Sequence, residues 1–139
     1  MPRNDMAVLY TSFERDGALA EIAFRLGMQS PVPTKPVAIH QLRIKMRKTI
    51  RITRADFPVL GIDPSRYTAL DYLRTESIGQ LIGSMEFDGV IVPSARWRCD
   101  NLVVLSEHHD AIEPVVTVST EEFAWVDWAI KNGFVLPPN

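Results

Sequence analysis

A single α+β domain is predicted by a β-branched run ending in a Pro-Ser turn, by helix-periodic stretches interspersed with strands in mixed order, and by a length suited to one core. The run is Phe87-Asp88-Gly89-Val90-Ile91-Val92-Pro93-Ser94-Ala95-Arg96. Asp-Gly opens it with a turn signal, Val90 to Val92 favour a strand, and Pro93 cannot donate to a continuing ladder. Ser94 is therefore delivered to a strand end, followed by the basic, aromatic loop Arg96-Trp97-Arg98-Cys99-Asp100-Asn101. Functional groups concentrate where a rigid element hands the chain to a loop.

The chain has 139 residues, enough to bury one core without disulfides or a structural metal, and the whole of 1–139 is expected to form one domain. Hydrophobic residues make up 46% and charged residues 23%, with a net charge of −2, so no global field points to nucleic acid. Cys99 stands alone, which excludes an internal disulfide framework. The sequence shows neither a signal peptide nor an apolar run of membrane-spanning length, and the expected compartment is the cytoplasm. Arg43, Lys45, Arg47, Lys48, Arg51 and Arg54 crowd one segment. Because Leu42, Ile44 and Met46 alternate with the first of them, the segment reads as a solvated strand face, compatible with an anionic ligand.

The first strand is expected over residues 7 to 11. Ser12 can cap a helix over about 14 to 26, where Leu19, Ile22, Ala23 and Leu26 form one apolar stripe and Gly27 supplies the stop. Residues 37 to 52 read as one long strand whose apolar parity slips near His40-Gln41, the mark of a β-bulge. A short helix and irregular structure should fill 53 to 72, and Ile78, Leu81, Ile82 and Met85 predict a further helix before Gly89. Strands near 101 to 106 and 112 to 118 follow. Ser119-Thr120-Glu121-Glu122 matches a capping box and predicts a last helix from Ser119 to Gly133. Its aromatic residues surround it so widely that it is either buried throughout or presents Trp125 or Trp128 to a partner.

Among candidate chemical residues, Glu21 lies off the apolar stripe, where it reads either as an i, i+4 partner of Arg25 or as a placed carboxylate. His108-His109-Asp110 lacks a third ligand at metal spacing, and Cys99 has no evident catalytic partner. Ser94 has no G-x-S-x-G elbow and no histidine nearby in sequence, so it reads as a hydrogen-bonding residue and not a nucleophile.

Two linked segments, Val8-Leu9-Tyr10-Thr11-Ser12 with Ala18-Leu19-Ala20-Glu21, and Phe87 to Arg96 with Asn101-Leu102-Val103-Val104-Leu105, resemble the RES domain. That family is named for an arginine, a glutamate and a serine, and its members are typically toxins of RES–Xre toxin–antitoxin pairs. The resemblance implies a fold related to ADP-ribosyltransferases and an enzyme that cleaves the nicotinamide–ribose bond of NAD, a substrate and not a cofactor, passing ADP-ribosyl to inorganic phosphate, water or a protein. By matching position it makes Glu21 the family's glutamate and Ser94 its serine. Tyr10 would line the nicotinamide side, and Arg3, Arg96 and Asn101 would help bind the substrate. The implied partner is an Xre-family antitoxin, with no direct role for nucleic acid or membrane, and a homodimer within the complex is compatible.

The family's arginines lie mainly ahead of the first strand, so the chain is expected to lack that N-terminal segment. The alternative reading is a non-catalytic module that keeps the RES scaffold and its antitoxin-binding surface.

Overall fold

The β-branched runs do become strands, and they assemble around Val90, Val92 and Val103, all nearly inaccessible to solvent. The structure, a computed structural model, describes residues 7–64, 85–106 and 115–136. Strands β1 (Ala7–Ser12), β3 (Thr49–Arg51), β4 (Gly89–Pro93) and β5 (Asp100–Ser106) form one sheet in the order β1-β5-β4-β3. β5 is antiparallel to both of its neighbours, whereas β3 and β4 run parallel. One face of this sheet packs on Phe57, Leu60 and Ile62, from and just after the short helix α2 (Phe57–Leu60). The result is a mixed α/β domain.

Helix α1 (Arg15–Gly27) buries Gly17, Leu19, Ala20 and Ala23 and keeps Ile22 and Leu26 half-buried, close to the predicted stripe. It packs against α3 (Trp125–Lys131) through a second core of Ala23, Val32, Trp125 and Ala129. Ser12 does not form the helix N-cap, which is Glu14, but its Oγ accepts the Glu14 N–H at 3.2 Å.

Two expectations are corrected. The long strand over 37 to 52 is divided: β2 (Val37–Ile44) pairs with β6 (Val115–Phe123) in a separate two-stranded sheet, and β3 joins the main sheet. The cause is Asp88, whose carboxylate accepts the backbone N–H groups of Arg47 and Lys48 at 2.7 and 2.8 Å and bends the chain there. The parity slip itself is present, with burial changing phase at His40-Gln41 and a register shift between Gln41 and Leu42.

The second correction concerns the predicted capping box. Ser119 to Phe123 continue β6, paired with Gln41 back to Val37, so the last helix starts only at Trp125. Cross-strand pairing over eight residue pairs outweighs a local cap worth about 1 kcal/mol. Gly133, with φ of 89°, follows that helix in a left-handed conformation as its position suggested. The helix predicted around 78 to 85 falls largely outside the described residues, as do His108 and His109. Among the described residues no helix is long and apolar enough to cross a membrane.

Candidate functional site

Parallel strands β3 and β4 end side by side, and the chain leaves them into two turns that face a cleft of about 750 Å³. Its walls come from Phe13 and Glu14 ahead of α1, from Arg51 at the end of β3 with Thr53 and Arg54 beyond it, and from Pro93 at the end of β4 through Ser94 and Trp97 to Asp100 at the start of β5. The local chemistry explains each turn. Thr53 and Asp56 form a reciprocal capping box, and these hydrogen bonds hold the Asp56 carboxyl below its usual pKa.

The loop after β4 is organised by Ser94. This residue is 2% exposed, and its Oγ accepts the N–H groups of Arg96 and Trp97, both at 3.1 Å. Its backbone N–H donates to the Cys99 carbonyl at 2.8 Å, closing the loop, and its carbonyl accepts from Arg54 Nη2 at 3.0 Å. Two N–H groups that could have faced a ligand are thus engaged by the Ser94 side chain, which keeps its own proton for a further acceptor.

Helix α1 lies along the same loop. A Cβ built on Gly17 would stand 2.2 Å from Ser12 Oγ and 2.5 Å from Cys99 Sγ, so any larger residue here must force these side chains aside. One turn further, Glu21 is half-buried, and Arg96 is held with its guanidinium carbon 3.2 Å from the Phe24 ring centroid. Burial raises the Glu21 pKa above the usual carboxylate value, opposed by the positive charges of Arg96 and Arg25. Burial also pushes the Cys99 thiol upward; a hydrogen bond with Ser12 opposes the shift, while Glu14, Asp100 and Glu21 reinforce it. Cys99 is therefore a protonated, passive thiol near neutral pH.

The sequence-predicted residues separate into distinct places. Ser94 lines the cleft, while Glu21 is outside its lining, on α1 within electrostatic reach of Arg96 and Cys99. Arg96 turns to α1 and does not line the cleft. Tyr10 is half-buried against the main core through its strand pairing with Val103. Asn101 is 7% exposed, outside the cleft lining, and its Oδ1 is buried without a hydrogen-bond partner among the described residues. Arg3 lies outside the described residues. Sequence reasoning missed Arg51 and Arg54 as cleft residues, having read them as part of a solvated strand. The available signal was their position at a strand end beside Thr53-x-x-Asp56, a turn and not a continuing ladder.

The family model of the RES domain matches residues 1–126. The chain belongs to the RES domain family. The resemblance read from the Tyr10–Glu21 and Val92–Ser94 segments is thereby borne out. Among solved structures, the M. tuberculosis MbcT–MbcA toxin–antitoxin complex contains a similar fold, with a TM-score of 0.69 at 12% identity, covering 93% of this chain and 73% of that one. No curated protein matches the sequence.

Proposed function

We propose that this RES domain protein is the toxin of a toxin–antitoxin pair and cleaves the nicotinamide–ribose bond of NAD in the cytoplasm, with an Xre-type antitoxin as its partner. The single observation that carries the catalytic reading is the half-buried Glu21, on the helix that packs against the Ser94 loop beside the cleft. Membership of the RES family and the fold shared with the M. tuberculosis toxin–antitoxin complex support the toxin role.

Cleavage sends the electron pair of the ribose C–N bond to nicotinamide, which leaves neutral, while positive charge develops on the ribose. A fixed carboxylate stabilises that charge, or holds a ribose hydroxyl that shares it. Arg96 and Arg25 favour the ionised form of Glu21 that this role needs, against the desolvation that disfavours it. Phosphate or water then forms the new bond to the ribose carbon, with water losing a proton. Ser94 serves by shaping the loop that borders the substrate and by its remaining hydroxyl proton.

The test is incubation of the purified chain with NAD and phosphate, following nicotinamide. Release is expected, and Glu21→Ala should lower it by about a hundredfold or more while the melting temperature is retained. Absence of release from the unaltered chain would reject the activity. Full activity in the variant would remove Glu21 from the mechanism.

A further inference from the structure

Positive charge lines the cleft at the ends of β3 and β4. Three guanidinium groups line it, and they are not equivalent. Arg51 is committed to Asp100 by an ion pair and hydrogen bond. Arg54 donates Nη2 to the Ser94 carbonyl, with its guanidinium carbon 5.8 Å from the Phe57 ring centroid, and these contacts hold it in place. Arg98 is exposed and makes no ion pair among the described residues. Thr53 stands between Arg51 and Arg54 in sequence and also lines the cleft.

Aromatic walls accompany this charge. Phe13 is 57% exposed, and Trp97 is braced by Trp128 with ring centroids 5.4 Å apart. Trp128 is itself held by donation of its Nε1–H to Asp16 at 3.3 Å. Planar fork donors recognise phosphate oxygens in pairs, and exposed aromatic rings accept flat bases. Glu14 and Asp100, also in the lining, disfavour an anion that is not gripped by several donors at once.

We propose that Arg98, supported by Arg54 and Thr53, holds the pyrophosphate of a dinucleotide in this cleft, with Phe13 and Trp97 beside its aromatic ends. The proposal rests on the NAD reading for the identity of the ligand and assigns the phosphate grip to residues at the β3 and β4 ends. Arg98 is the residue to test, because its exposure leaves the fold independent of it, whereas Arg54 also supports the Ser94 loop.

Binding of ADP-ribose, inorganic pyrophosphate, inorganic phosphate and adenosine should be measured calorimetrically on the whole chain and on Arg98→Ala and Arg98→Lys. ADP-ribose affinity is expected to fall about tenfold or more in Arg98→Ala and to recover partly in Arg98→Lys, with unchanged melting temperatures. Pyrophosphate should compete with ADP-ribose, and adenosine should bind far more weakly and equally to all three proteins. Affinity for ADP-ribose within twofold of the unaltered chain in Arg98→Ala would overturn the proposal, as would no measurable ADP-ribose binding at all. Arg98-dependent binding of phosphate alone would also overturn it, reassigning the site to an acceptor. If NAD is not cleaved but ADP-ribose binding depends on Arg98, only the catalytic reading fails; if NAD is cleaved and binding ignores Arg98, only the present proposal fails.

Discussion

Ser94→Ala separates an organising hydroxyl from a reacting one. The substitution removes one oxygen from a site that is 2% exposed and takes the acceptor away from the Arg96 and Trp97 N–H groups. Each lost bond costs about 1 kcal/mol net, more where water cannot replace the acceptor, and both donors sit on half-buried residues. The expected destabilisation is about 1–3 kcal/mol, which for a chain of this length lowers the melting temperature by about 3–10 °C. Thermal and urea unfolding measure it, with Ser119→Ala on the exposed face of β6 as a control expected to stay within about 0.5 kcal/mol. Nicotinamide release should fall together with stability, because the loop carrying Arg96 and Arg98 loosens. An unchanged melting temperature with abolished turnover would refute this account and place the hydroxyl on the ligand instead of the loop.

Glu21→Gln should change the pH dependence of stability. Because the folded pKa is raised, the folded state holds its proton more tightly, and the associated stability is complete below the unfolded value and lost as pH rises through the folded one. The variant should therefore gain stability relative to the unaltered chain between acidic and neutral pH in urea titrations; a difference that is flat with pH would contradict the burial of this carboxylate. Gly17→Ala gains about 1 kcal/mol of helix propensity but forces Ser12 and Cys99 aside, an overpacking cost of about 1–3 kcal/mol. Net destabilisation by up to about 2 kcal/mol is expected, and it should shrink in a Cys99→Ala background. Equal effects in both backgrounds would show that the helix and loop do not meet at this contact.

Much of the site was legible because it is built from local signals. Val90 to Ser94 announced a strand end, and the Leu19–Leu26 spacing announced α1 and the off-stripe position of Glu21. What failed were segments whose fate depends on distant partners. The residues of the apparent capping box at Ser119 obey the pairing offered by Val37 to Gln41, nearly eighty positions away in sequence. The strand over 37 to 52 is broken by Asp88, forty positions downstream, and a periodicity window cannot contain both ends of that interaction. Arg51 and Arg54 looked like solvated charges for the same reason: only the parallel pairing of β3 with β4 carries them to the cleft.

The bracket at Asp88 also governs how the two parallel strands align. Besides its carboxylate bonds, Asp88 donates its own N–H to the Lys48 carbonyl and accepts the Leu105 N–H on its carbonyl, both at 2.9 Å. β3 is paired over only three residues, too few to fix its alignment alone, yet the bracket holds Lys48 against Asp88 and so sets Thr49 beside Gly89. Asp88, itself outside the cleft lining, thereby sets where β3 delivers Arg51 and Arg54 relative to the Ser94 turn.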